Sequence, residues 1–293
     1  MISIVTPTYQ RANCIKKLFE SLELQTNKCF EWIVVDDGSK DNTKEVIDHM
    51  KAFSTFEINY YYKENEGKCM ALNLAFKVAK YDYILIVDSD DWLKKNAVEL
   101  IKKYLHLFDD DSVGAISFFR EYSDGKLNGK FFKKDVFKSN YINVRLNSKD
   151  GWNDKAEVYR KSALLEFEFP KFYNEKFLAE NIVWIPFSYK YDMYFVNESI
   201  YVGEYLLEGL TKNVFKNKYN NPYGAMEVAK LYMGKKFTFV NKVKGSILYT
   251  YYSKLVYKTY KESFAKSNHK ILYILTYIPY ILYSKILNKK SKY

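Results

Sequence analysis

Apolar runs alternating with helix-period segments open the chain. Ile2-Ser3-Ile4-Val5-Thr6 reads as a buried strand, and Cys14 to Gln25 as a helix with Ile15, Leu18, Phe19 and Leu22 on one face. Trp32-Ile33-Val34-Val35 is a second strand, followed by a helix to about Phe53 that Asp41 or Asn42 can cap. Ile58 to Tyr62 is a third strand, Gly67 to Ala79 a third helix, Tyr83 to Val87 a fourth strand and Val113 to Phe119 a further one. Strands this continuously apolar, alternating with helices, predict an α/β fold whose mostly parallel sheet is covered on both faces. From Ser123 the pattern is irregular, with Gly125 and Gly129 in a loop or hairpin, and from Gly224 it is helical and rich in Lys and Tyr. The expected division is a catalytic unit over 1–220 and a helical, basic and aromatic segment over 221–293.

In parallel sheets of this kind ligands bind beyond the carboxyl ends of the strands. Three strand ends carry Pro7-Thr8-Tyr9, Asp36-Asp37-Gly38-Ser39 and Asp88-Ser89-Asp90, which should converge on one crevice. Closely spaced carboxylates at such an edge suit a hard divalent cation, Mg²⁺ or Mn²⁺, shared with a substrate's phosphates. A competing reading has Asp90 or Asp91 cap a helix starting at Leu93. One carboxylate of the Asp36-Asp37 pair can accept the imino N–H of a uracil or a ribose hydroxyl, or the run can be an ordinary Asp-Gly turn with a helix cap at Asp41. Asn65-Glu66-Gly67-Lys68 opens a helix, where backbone N–H groups and the lysine can face phosphate.

Composition narrows the partners. The 293 residues carry a net charge of +11, which points to a polyanion or an anionic membrane surface. The basic residues are dispersed and the strand ends are acidic, which undercuts a nucleic-acid-binding reading and tilts toward lipid. Three cysteines, Cys14, Cys29 and Cys69, have no metal-ligand spacing and read as reduced thiols of a cytoplasmic protein. Strand character from Ile2 leaves no secretory signal in the sequence given. Ile271 to Leu287 is too short and too broken by Pro279, Ser284 and Lys285 for a transmembrane helix.

Val5-Thr6-Pro7-Thr8-Tyr9-Gln10-Arg11, Val35-Asp36-Asp37-Gly38-Ser39, Asn65-Glu66-Gly67-Lys68 with Ala71 and Asn73, and Val87-Asp88-Ser89-Asp90-Asp91 follow in this order over about the first 120 residues. Together they resemble family 2 glycosyltransferases of the GT-A fold, in a bacterial polysaccharide-type setting. The resemblance implies an inverting transferase that moves a sugar from a nucleotide-sugar, usually a UDP-sugar, to a saccharide or lipid-linked saccharide acceptor. It further implies that Asp37 reads the base, Asp90 binds the metal, and Asp88 and Ser89 touch the donor. Pro7, Thr8, Tyr9 and Arg11 line the nucleotide pocket, with Gly67 and Lys68 beside the phosphates. Such enzymes need a general base for the acceptor hydroxyl, often the second residue of a Glu-Asp pair opening a helix. Here that position is Asn181, which cannot act as a base. The role moves to Glu180, with Glu175 as a substitute; Glu180 otherwise reads as a first-turn helix acid.

Two weaker segments accompany this set. Tyr205 to Thr211 resembles a stretch that closes over the donor diphosphate, and Trp152-Asn153-Asp154-Lys155 is either acceptor cleft or core. Lys266 to Tyr293 combines nine Ile and Leu residues with tyrosines and a closing lysine cluster. Such a helix either lies on the inner face of the cell membrane or packs internally or as a homodimer contact. A non-catalytic nucleotide-sugar-binding or scaffold protein is the alternative to the transferase.

Overall fold

The computed structural model describes residues 1–148, 153–203, 213–257 and 259–292. Its strands are β1 (Ile2–Thr8), β2 (Phe30–Asp36), β3 (Glu57–Tyr62), β4 (Tyr83–Ile86), β5 (Trp92–Leu93), β6 (Val113–Glu121), β7 (Val136–Ser139), β8 (Lys155–Arg160) and β9 (Asp192–Val202). The helices are α1 (Ile15–Glu23), α2 (Thr43–Phe53), α3 (Lys68–Val78), α4 (Ala97–Tyr104), α5 (Lys161–Leu164) and α6 (Asn181–Lys190). After them come α7 (Val214–Asn220), α8 (Pro222–Leu231), α9 (Phe239–Val256), α10 (Tyr260–Ala265), α11 (Lys270–Leu275) and α12 (Tyr277–Lys292).

All the strands form one sheet, ordered β3-β2-β1-β4-β8-β6-β9-β5, with β7 on β9. The β3, β2, β1 and β4 neighbours are parallel, and β6 and β9 are parallel to each other. β8 runs antiparallel to both β4 and β6, so it joins the two parallel blocks. β1 and β2 are buried along their whole length because both faces are covered. Ile4, Trp32 and Val34 pack toward α1, α2 and α4, whereas Val5, Ile33 and Val35 pack toward α3 and α6. That two-sided burial is why these strands lack a polar alternation in the sequence.

Trp92-Leu93 pairs with β9 rather than starting a helix, and α4 begins only at Ala97. The helix-cap reading of Asp90 and Asp91 therefore fails: these carboxylates sit on the connection between β4 and β5.

The C-terminal helices build a separate core from Met226, Met233, Tyr249, Tyr251, Tyr252, Tyr273 and Tyr280. Its polar groups are paired inside it. The Ser246 and Thr276 hydroxyls lie 2.7 Å apart, Ser263 and Tyr273 2.9 Å, and Tyr249 donates to the Ser263 carbonyl at 2.8 Å. No helix among the described residues is long and apolar enough to cross a membrane.

Candidate active site

Parallel pairing sets Thr8 beside Asp36 and Val5 beside Ile86, so the ends of β1, β2 and β4 meet at one edge. The chain leaves β2 through Gly38, whose φ of +86° favours glycine; a Cβ there would lie 2.7 Å from the Asn65 backbone nitrogen. Asp36 turns inward to hold this corner, accepting from the Ser39 N–H at 2.8 Å and the Tyr60 hydroxyl at 2.7 Å. Burial and the neighbouring Asp36 push the Tyr60 hydroxyl well above its usual range.

Asp37 holds the neighbouring loop. Its carboxylate accepts from the Lys63 ammonium at 2.9 Å, the Glu66 N–H at 3.0 Å and the Gly67 N–H at 2.7 Å. A carboxylate has about four acceptor sites, so this one retains capacity for a base imino group while bracing the start of α3. Gly67 has a φ of +99°, and a Cβ there would come within 1.8 Å of the Lys176 carbonyl oxygen. Two constraints, conformation and close approach, thus require glycine at one position. Thr8 lies beside this loop, and its buried hydroxyl has no hydrogen-bond partner. Pro7 is buried with it, whereas Tyr9 is exposed and Arg11 half-buried.

Past β4, carboxylate oxygens of Asp88, Asp90 and Asp91 lie within 4.8 Å of one another. They are not equivalent. Asp91 is buried, ion-paired with Arg120 at 3.0 Å and hydrogen-bonded by the Tyr201 hydroxyl at 2.8 Å. Burial outweighs Arg120 and raises its carboxyl to about 7. A Cβ on Gly203 would lie 2.1 Å from both Arg120 and Asp91, so a glycine leaves room for this pair. Among the described residues, Asp90 forms one ion pair, with Arg11 at 3.8 Å. Asp88 faces Lys68, whose ammonium lies 2.7 Å from Oδ1 and 3.0 Å from Oδ2. Ser89 between them is buried.

Lys68 also reaches Glu180, 2.9 Å from Oε1. Burial opposes the Lys68 charge, but Asp88 and Glu180 outweigh it and keep the ammonium well above the usual lysine range. The second oxygen of Glu180 accepts the Trp184 indole N–H at 3.2 Å. Glu180 precedes α6, and its backbone carbonyl accepts the Val183 and Trp184 N–H groups, while its side chain caps nothing. The carboxylate therefore points into the site. Glu175 does not: its oxygens accept the Tyr223 and Gly224 N–H groups at 2.7 and 2.8 Å, at the start of α8. Asn181 is turned away too, accepting from Tyr141 at 2.7 Å and donating to Tyr232 at 2.9 Å.

Apart from Glu175 and Asn181, the described residues singled out for the donor site and the base are thus gathered at the β1, β2 and β4 ends and the starts of α3 and α6. Trp152 and the Tyr205–Thr211 segment lie outside the described residues. Sequence reading missed Lys63, Arg120, Tyr201 and Trp184. A lone cation near the end of the apolar run Val113 to Phe119 was the available signal for Arg120. Lys63 and Trp184 lie within a few residues of the motifs but carry no signal of their own, and Tyr201 comes from a distant strand. Behind Trp184, Tyr159 stacks on the indole at 4.8 Å, and Arg145 lies 3.8 Å from Glu157.

Residues 3–166 match the family model described as Glycosyl transferase family 2. A Campylobacter jejuni protein named GalNAc(5)-diNAcBac-PP-undecaprenol beta-1,3-glucosyltransferase is 26% identical over 244 residues, 78% of this chain and 73% of that protein. A glycosyltransferase of Rickettsia felis is 34% identical over 140 residues, 46% of this chain, and the chain spans only 23% of that relative's length. Among solved structures, S. aureus TarS in complex with UDP-GlcNAc aligns at TM-score 0.62 and 18% identity, over 96% of this chain and 80% of that one. A Pyrobaculum calidifontis mannosyltransferase in complex with GDP-Man and Mn²⁺ aligns at TM-score 0.56 and 14% identity, over 99% and 83%. The architecture is the α/β GT-A arrangement that these neighbours share.

Proposed function

Because the chain belongs to glycosyl transferase family 2, we propose that it transfers a sugar from a UDP-sugar to a hydroxyl of a glycan or lipid-linked saccharide, with inversion. The observation that carries this reading is the Lys68 ammonium, 2.7 Å from Asp88 and 2.9 Å from Glu180. One side chain thereby joins the donor-side carboxylates to a carboxylate able to take a proton.

The donor set fits a divalent cation of the Mg²⁺ or Mn²⁺ type. The ligands would be oxygens of Asp90 and Asp88, since Asp91 is committed to Arg120 and Tyr201. When bound, such an ion supplies charge neutralisation for the departing diphosphate. Asp37 accepts the base imino group. Glu180 takes the acceptor proton as the acceptor oxygen forms its bond to the anomeric carbon and the bond to the diphosphate breaks on the opposite face. The UDP-GlcNAc bound by TarS and the undecaprenol-linked acceptor in the Campylobacter relative's name support the donor and acceptor classes.

The same reading puts the enzyme at the cytoplasmic face of a membrane. Ile271, Ile274, Leu275, Ile278, Ile281, Leu282 and Ile286 are exposed along α11 and α12, while Tyr273 and Tyr280 face inward. Residues 221–293 hold 14 lysines and two glutamates, a net +12, which leaves −1 for residues 1–220. An apolar stripe within so basic a segment suits an anionic bilayer surface.

The test is nucleotide release from a panel of nucleotide-sugars, with Mn²⁺ and candidate acceptors, by wild type and Glu180→Gln. The expected result is acceptor-dependent release by wild type, lowered about 10²- to 10⁴-fold in the variant with donor binding kept. Near-normal turnover in the variant would reject Glu180 as the base. Wild-type binding of a donor without release would favour the scaffold reading.

A further inference from the structure

We propose that Asn181 is a positioning residue for the transfer step, and that through Tyr232 it makes α8 part of the catalytic apparatus. The proposal rests on the reading of Glu180 as the base. Asn181 is the immediate neighbour of Glu180, and its amide is spent on two hydroxyls from distant elements. Oδ1 accepts from buried Tyr141 at 2.7 Å, and Nδ2 donates at 2.9 Å to Tyr232, which ends α8. One planar group that both accepts and donates fixes the plane of the turn at residues 180 and 181. An aspartate here could only accept, so the Tyr232 bond would have to reverse.

The turn is the last link of a segment pinned along its length. Glu175 accepts two N–H groups at the start of α8. Asn221, just before that helix, returns the contact by accepting from Lys176 at 2.9 Å and Phe177 at 3.2 Å. On its other side the segment lies against the donor-site loop, through the close approach of Gly67 to the Lys176 carbonyl and of Cys69 Sγ to the Leu178 carbonyl at 3.3 Å. Glu180 therefore emerges from a strip of chain held between the donor loop and α8. Of the side-chain bonds that pin this strip to α8, that of Asn181 is nearest in sequence to Glu180. Small displacements of a catalytic group carry large rate penalties, on the order of 10²-fold for about 1 Å.

The experiment measures acceptor-dependent kcat, donor KM and melting temperature for Asn181→Ala, Tyr232→Phe and the double variant. Asn181→Ala should lower kcat roughly 10- to 100-fold with donor KM within about twofold of wild type. Tyr232→Phe, which removes one hydroxyl, should lower kcat about 3- to 10-fold. The double variant should be no slower than Asn181→Ala, because both changes break the same bond. A kcat within about twofold of wild type in both single variants, whether or not melting temperature falls, would overturn the proposal, as would losses that multiply. A wild-type rate in Glu180→Gln would instead remove the base assignment beneath it. A slow Glu180→Gln with a normal Tyr232→Phe and Asn181→Ala would defeat the positioning role alone.

Discussion

The region up to Gly203 and the helices after it invert each other's chemistry. In the first, aliphatic residues fill both faces of the sheet, and ionisable groups collect at the strand ends, where they are tied into partnerships: Asp37 with Lys63, Asp91 with Arg120, Lys68 with Asp88 and Glu180. In the second, tyrosines with methionine, alanine, serine and threonine form the interior, and isoleucine and leucine of the last two helices stand outside; Ile271 is 77% and Ile278 71% exposed. An apolar interior lets a domain concentrate its chemistry at one polar edge. An apolar exterior has no such edge and offers a surface instead. The difference teaches where to mutate: single polar residues in the first region, patches in the second.

The larger effect belongs to Asp37→Ala. It should weaken UDP binding by about 1.5–3 kcal/mol, the worth of a hydrogen bond to a charged group, which calorimetry would read as roughly 10- to 100-fold. The variant should also melt at lower temperature, because Lys63 and the Glu66 and Gly67 N–H groups lose their acceptor. Unchanged UDP affinity would break the claim that this edge reads the nucleotide. A smaller effect on turnover, near none, is expected for the triple change Ile271→Glu, Ile278→Glu and Leu282→Glu. These side chains are exposed, so folding and nucleotide release with a soluble acceptor should be preserved while co-sedimentation with anionic vesicles is lost. Truncation would be a poorer test, since it removes Tyr273, which is fully buried against α9 and α10. Vesicle binding that persists, or a dimer in wild type that the triple variant dissolves, would reassign the stripe.

The legible parts of the fold were those with a one-dimensional signature. β1 to β4 and β6 announced themselves as apolar runs because the sheet is covered on both sides. β5 did not: two residues are too few for a period, and the Asp-rich approach mimicked a helix cap. β8 was hidden because the charged Lys155 and Glu157 interrupt its apolar residues, although Ala156 and Val158 are buried on one face and Tyr159 on the other. In the site, the acidic strand ends could be read from local sequence. The duties of those acids could not, since they depend on partners far along the chain. Asp37 is satisfied 26 to 30 residues away and Asn181 51 residues away. The C-terminal stripe was visible as an apolar periodicity, but its direction became clear only from the burial of the tyrosines between.

The central claim is a metal-assisted nucleotide site at the β4 end, and UDP titrated calorimetrically into wild type and Asp90→Ala, first in EDTA and then in excess Mn²⁺, tests it most directly. Asp90 is only loosely held, by Arg11 at 3.8 Å, so its loss should leave the fold and melting temperature intact. Wild type should bind UDP at least about 10-fold more tightly with Mn²⁺, consistent with an ion worth several kcal/mol of charge stabilisation, and Asp90→Ala should show no gain. An equal gain in the variant, or none in wild type, would contradict the account.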